Sequence, residues 1–269
     1  NGIPVMDSPR SLAGALSRLS DYAEGRANLT PETKSPPEDM RTAAETMPAG
    51  DGPTLTEHES ERWLASCGIP LLDSALASTA DEALASARHL GFPVAMKALS
   101  PDIPHKNIAG LVRLNVENEP GVLETFSALS ASLDRTPAAR NVGILIEPMA
   151  CDGVDLLIGS HNDPTFGPVV VFGWGGVHTE ILDEVSLRLA PVSPEEAAEM
   201  LGEVRGFPDL AEVDLGGPVD WGPLGDVLVR VSHLAVLAGE KIESIDVNPI
   251  RVTARNGECF VLDASVVLK

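Results

Sequence analysis

A chain of 269 residues, 43% of them apolar, can bury one large core or two modest ones. Its 40 acidic against 19 basic side chains give a formal charge of −21, which argues against nucleic acid or an anionic membrane surface as a partner. Cys67, Cys151 and Cys259 stand far apart without a CxxC pair, which suggests reduced thiols in a cytoplasmic protein rather than a disulfide framework or zinc site. No apolar run reaches the ~18 residues of a membrane helix, and no signal peptide is visible.

In chain order, residues 1–24 read as a short strand, a turn at Asp7-Ser8-Pro9 and an amphipathic helix carrying Leu12, Ala15, Leu16 and Leu19. The segment begins at Asn1 without Met and is too small for a domain, so it is expected to be the tail of a preceding one. Residues 25–54 have linker composition, rich in Pro, Thr, Glu and Gly, and are expected to be a linker open to disorder. At Thr56 the pattern changes. Thr56 with Glu59, and Thr79 with Glu82, form capping boxes that open helices closed at Gly68 and Gly91. Apolar or β-branched runs predict strands at 69–72, 94–99, 111–116, 142–147, 154–159, 168–172, 242–247 and 259–262. Further helices are predicted at 120–133, 194–201 and 224–238, the second capped by Ser193 with Pro194 at its first position. Helix and strand signals alternate, which predicts an α/β (α+β) architecture from about residue 55, in two parts, 55–137 and 138–269.

Five places carry residues suited to chemistry. Lys97 lies inside the apolar run PVAMKAL and is followed by the polar loop SPDIPHKNIAG. An edge lysine reaching solvent is the plainer reading, but the loop shifts the balance toward anion binding. In that loop His105 offers a nitrogen able to carry phosphate, Lys106 a point charge, and Gly110 close backbone approach. The run VVVFGWGGVHTEIL ends a strand in Gly173, Gly175 and Gly176, followed by Glu180. Such a turn exposes N–H groups that suit phosphates, although a hairpin turn would look the same. Arg188 adds a guanidinium that could clamp phosphate. In SIDVNPIRVTARNGECFVLDA, Asp246 and Asn248 alternate to one strand face, and a hairpin at Asn256-Gly257 returns Asp263 beside them. Hard oxygen donors in this number suit Mg²⁺. Finally, GILIEPM ends a strand at Glu147, Pro148 and Met149, where backbone groups could read a base edge.

These motifs, in this order, resemble the ATP-grasp (beta-subunit-like) domain of the NDP-forming acyl-CoA synthetases, the ADP-forming acetate–CoA ligases. The resemblance runs from about residue 55 to the end. It implies an ATP-grasp fold of two subdomains, and it makes residues 1–24 similar to the end of a preceding CoA-ligase domain. It implies Mg²⁺ and ATP or ADP as cofactors, with CoA at a site outside this chain. The reaction implied interconverts carboxylate, CoA and ATP with acyl-CoA, ADP and phosphate through a phosphohistidine. By this resemblance Lys97 meets the nucleotide phosphates, and Glu147, Pro148 and Met149 form the adenine hinge. Asn248 and Asp263 hold Mg²⁺, with Asp246 in or behind that shell. His105 falls where a second phosphorylatable histidine stands, and Lys106, Gly110, Gly175, Gly176, Glu180 and Arg188 line the phosphate end. The implied partners are the nucleotide and the CoA-binding and phosphohistidine domains or subunit, and a homodimer is allowed. One departure is that Ala109 stands where the family has a glycine, which puts a methyl group in the phosphate loop. An alternative reading is a nucleotide-binding regulatory domain, as in fusions to an acetyltransferase.

Overall fold

The computed structural model describes residues 8–10, 13, 16–17, 35–48, 53–100, 110–135, 142–176, 185–255 and 257–269. The chain divides into two compact units, residues 1–35 and 36–269. In the first, the described backbone at Pro9, Arg10, Ala13, Leu16 and Ser17 is helical, in keeping with the apolar periodicity there.

The second unit opens with a helix inside the segment expected to be linker. This helix, α1 (Glu38–Glu45), buries Met40, Ala43 and Ala44. Those residues sit at i, i+3 and i+4, a stripe that the surrounding polar composition hides. Next comes α2 (Glu57–Ser66), started by the reciprocal Thr56–Glu59 capping box. The Trp63 indole N–H of α2 donates to Ala43 O at 3.2 Å, tying α2 to α1.

A four-stranded antiparallel sheet follows, ordered β1-β4-β2-β3, from β1 (Ala75–Ala77), β2 (Val94–Leu99), β3 (Val112–Val116) and β4 (Gly143–Pro148). Helices α3 (Ala80–Leu90) and α4 (Glu119–Asp134) belong to this part of the chain. Val94, Met96 and Ala98 of β2 join Ala83, Ala87, Val122 and Leu129 in the smaller core. By alternation Lys97 then points to the opposite face.

The larger sheet is also antiparallel and runs β10-β8-β5-β6-β7, with β9 paired to β8. It comprises β5 (Val154–Asp163), β6 (Gly167–Trp174), β7 (Val185–Leu189), β8 (Ile242–Val252), β9 (Cys259–Val261) and β10 (Ala264–Leu268). Three helices accompany it: α5 (Pro194–Glu203), α6 (Asp209–Leu215) and α7 (Gly222–Leu237). Ile158, Phe172 and Val247 form the core on one face of the sheet with Leu228 and Val231 of α7. Among the described residues there are therefore two cores, and the chain crosses between them after Ile146 and before Val154. Trp63 and Leu64 join the larger core, so α2 packs with the second half of the chain although it precedes the first sheet. Residues 69–72 form no strand; they contribute an isolated bridge from Leu71 to Val261.

Candidate functional site

Lys97 is the centre of the site. Its ammonium meets Glu57 Oε1 at 2.6 Å, Glu147 Oε2 at 2.7 Å and Leu262 O at 2.8 Å. Three acceptors match the three N–H groups of an ammonium. Each acceptor comes from a different element. Glu57 is the first residue of α2, Glu147 lies on β4, and Leu262 joins β9 to β10. Cross-strand pairing sets Ala95 against Glu147 and Lys97 against Leu145, so Lys97 and Glu147 are diagonal neighbours on one face of the smaller sheet. Burial alone pulls the ammonium down, but Glu57, Glu147 and Asp263 more than reverse this and hold it charged.

Glu61 completes the group. One turn after Glu57, it shares the buried face of α2 with Ser60 and Leu64. It is 2% exposed, and neither carboxylate oxygen has a hydrogen-bond partner. Burial, and then the charges of Glu147 and Glu57, push its carboxyl up to about 9, with Lys97 opposing.

A second set of oxygen groups lies on the larger sheet. Asp246 and Asn248 occupy the face of β8 opposite the buried Val247. Asn248 N donates to Asp263 O at 3.1 Å, which pins the two residues together. The Gly173–Gly176 turn is held against them, because Gly176 N donates to Asn248 Oδ1 at 3.2 Å. Gly175 must be glycine for space: a Cβ there would sit 2.4 Å from the Leu156 carbonyl. Behind the turn, Arg251 grips Asp155 through both carboxylate oxygens, at 2.7 and 2.9 Å. Asp246 touches solvent, yet the protein crowding it raises its carboxyl by desolvation.

The remaining candidates separate. The structure does not bring Arg188 to this group. On β7 it takes the helix-facing side, pairs in register with Val170, and is held by Glu203 of α5. Leu187 and Leu189 take the opposite, exposed side. Arg188 thus fastens a helix to a sheet edge, and a lone arginine in sequence gives no sign of which side it faces. Met149 N donates to Pro93 O at 3.0 Å, so that N–H is already engaged, and Pro148 pairs with Val94. Gly110 has φ +69° with open space around it. His105, Lys106, Ala109, Glu180 and Asn256 lie outside the described residues.

An ATP-grasp domain model matches residues 47–268. The chain is 35% identical over 216 residues to the acetate–CoA ligase [ADP-forming] II subunit beta of Pyrococcus furiosus, covering 80% of this chain and 92% of that one. Against a solved structure titled Ca. Korarchaeum cryptofilum dinucleotide forming acetyl-coenzyme A synthetase 1 in complex with coenzyme A, Ca-AMPCP and HgCl+, the TM-score is 0.74 at 35% identity, covering 81% and 95% of the two chains. The chain belongs to the ATP-grasp family of ADP-forming acyl-CoA ligases. A longer family member, acetate–CoA ligase [ADP-forming] I of Archaeoglobus fulgidus, is 34% identical over 260 residues; the match takes 94% of this chain but 37% of that protein. Another structure of the Korarchaeum synthetase holds coenzyme A and Mg-AMPPCP with its phosphohistidine segment pointing towards the nucleotide-binding site; it matches at TM-score 0.67 and 33% identity.

Family membership makes this chain the ATP-grasp part of such a ligase. The donor set fits a hard cation: Asp246, Asn248 and Asp263 offer carboxylate and amide oxygens. Glu57 and Glu61 are the residues that motif reading missed. The signal was present in the i, i+4 acids directly after a capping threonine, but such acids ordinarily serve the positive end of a helix in solvent. Only the fold turns them inward.

Proposed function

We propose that this chain binds Mg-ATP or Mg-ADP beside Lys97 and exchanges the terminal phosphoryl group with a histidine of the same enzyme. The observation that carries this reading is the meeting of Lys97 of the smaller sheet with the Leu262–Asp263 turn of the larger one. A cation from one half thus stands beside the oxygen donors of the other, which is what a metal–triphosphate spanning both needs.

In this reading Lys97 turns from its carboxylates to the nucleotide phosphates. Asp246, Asn248 and Asp263 hold the Mg²⁺, which supplies charge neutralisation at the phosphates when bound. Glu147 to Met149 border the base, and Gly175 and Gly176 keep backbone N–H groups at the phosphate end. Gly110, His105, Lys106 and Glu180 belong to the phosphate loops. A neutral imidazole nitrogen attacks the γ-phosphorus, the N–P bond forms, and the P–O bond to ADP breaks with ADP taking the electron pair. In the reverse direction ADP regains the group. CoA and the carboxylic acid bind on the domains or subunit that the longer relatives add, and the domain division at about residue 137 belongs to the same reading. Free thiols at Cys67, Cys151 and Cys259 support a cytoplasmic setting, and among the described residues no helix is long and apolar enough to cross a membrane. The family relatives are ligases and synthetases, which favours this reading over a regulatory module.

The test is thermal unfolding with Mg²⁺ and ATP, ADP or GTP, followed by γ-³²P labelling of the complete enzyme. A rise in melting temperature and acid-labile, alkali-stable label are expected. The absence of any shift with every nucleotide overturns the reading. Label that survives His105→Ala at the wild-type level removes His105 from the phosphoryl path.

A further inference from the structure

The larger sheet has two edges, and the chain treats them differently. Along β10 the segment 53–55 covers the strand: Thr54 bridges to Val267, Leu55 N donates to Val266 O at 2.9 Å, and Leu268 N donates to Pro53 O at 2.7 Å. Edge strand β7 has no such cover among the described residues. Ala190 N donates to Pro168 O at 2.9 Å, in register with the Val169–Leu189 pair. Antiparallel pairing alternates, so the N–H and C=O groups of Ser186 and Arg188 turn to β6 while those of Val185, Leu187 and Leu189 turn outward. The same three residues are 50%, 55% and 57% exposed, and their side chains make one aliphatic row. Edges of soluble proteins are ordinarily blunted by Lys, Pro, a bulge or a covering segment. Strand β3, an edge of the smaller sheet, shows this protection: Arg113 and Asn115 are exposed, Asn115 has φ +56°, and the pairing with β2 shifts register. The sequence VSLRL of β7 has neither Lys nor Pro, and it pairs with β6 without a shift. We infer that β7 is a self-association edge, pairing antiparallel with β7 of a second copy of this chain about a two-fold axis at Leu187.

The register about that axis is self-complementary. With Leu187 opposite Leu187, Val185 faces Leu189 of the second copy, and all three outward residues fall at hydrogen-bonded positions. The two aliphatic rows then merge on one face of a continuous sheet. On the other face Arg188 meets Ser186 rather than a second Arg188, so like charges are not opposed. Leu187 O already accepts from Arg188 NH1 at 3.0 Å, and its second lone pair serves the incoming strand. A slip by one residue would set outward groups against groups already turned to β6. Charge points to the same place. A chain of net charge −21 repels its own copy over most of its surface, but β7 holds no acid, and its one cation is paired with Glu203. A five-residue edge buries less than the ~1,600 Å² of a standard interface, so association in the micromolar range is expected. The inference is independent of the nucleotide reading.

Sedimentation equilibrium of the 269-residue chain tests it, over protein concentrations from about 1 to about 200 μM, which bracket that range. Wild type is compared with Leu187→Lys, which sets two ammonium groups opposite each other on the axis, and with Leu187→Pro, which removes only an outward N–H. Val213→Lys, at a position 75% exposed on α6, is the control for a general loss of surface apolarity. Circular dichroism checks that each variant is folded, and amide hydrogen exchange of residues 185–189 is followed across the same concentrations. The wild type and Val213→Lys are expected to dimerise alike, both Leu187 variants to associate at least tenfold more weakly, and exchange at 185–189 to slow as the wild-type dimer forms. A wild type that stays monomeric throughout, a folded Leu187→Lys that dimerises as tightly as the wild type, or exchange at 185–189 that ignores concentration overturns the inference.

Discussion

Replacing Glu61 by Gln removes a buried acid while keeping its shape, and the effect depends on pH in a calculable way. Burial pushes the folded-state carboxyl up to about 9, against an ordinary value of 4.5. The folded state therefore keeps a proton that the unfolded state gives up between those two values. Stability contributed by this group is fully present below pH 4.5 and is lost as pH rises, by at most about 1.4 kcal/mol per unit. At pH 7 the accumulated loss is up to about 3 kcal/mol. Gln carries no such linkage, so Glu61→Gln should match the wild type near pH 4.5 and exceed it by up to about 3 kcal/mol at pH 7. For a unit of this size that corresponds to roughly 6–12 °C in melting temperature. Urea unfolding in EDTA at pH 5, 6, 7 and 8, read as the shift in midpoint, measures the slope directly. A stability difference that stays constant across this range, or a variant less stable at pH 7, would refute the idea that Glu61 is buried as an uncompensated acid.

Lys97→Met should be destabilised by roughly 3–5 kcal/mol, because it removes the ammonium that bridges buried Glu57 and Glu147, and should lose the nucleotide-dependent rise in melting temperature. Chemical denaturation and thermal shift check the two effects separately. Arg188→Ala should cost about 1 kcal/mol through the lost Glu203 pair and leave nucleotide affinity unchanged, since Arg188 faces α5; calorimetric titration with Mg-ATP decides the second point. Gly175→Ala forces a Cβ against the Leu156 carbonyl and should lower stability by at least about 2 kcal/mol while displacing the turn from Asn248, seen as weaker Mg²⁺-dependent nucleotide binding.

How much of this was legible in the sequence follows from how far each signal reaches along the chain. Capping boxes act over three residues, and those at Thr56, Thr79 and Ser193 place three helix starts where they are observed. Strands 94–99 and 154–159 were readable because apolar residues dominate each run, with a single charged residue in each, Lys97 and Asp155. Edge strand β7 was not, since it presents exposed Leu187 and Leu189 on one side and Ser186 and Arg188 on the other. Helix α1 was hidden by its own polarity, because what stabilises it is burial of Met40 and Ala43 against residues far ahead in the chain.

The site divides in the same way. Asp246, Asn248 and Asp263 come together through a local hairpin, so alternation alone brings them to one end of two strands. Lys97 was visible as a cation in an apolar strand, but its partners lie 40, 50 and 165 residues away, two before the crossing between cores and one after it. No local period encodes such a meeting. It arises because α2 packs with the larger sheet while the smaller sheet is built from the residues between them, which leaves Glu57 and Glu61 at the seam. Acids that look like ordinary helix-start residues are thereby turned into the walls of a buried charge cluster. Desolvation is what makes them costly there: it raises the Glu61 carboxyl, while the carboxylates around Lys97 hold its ammonium charged.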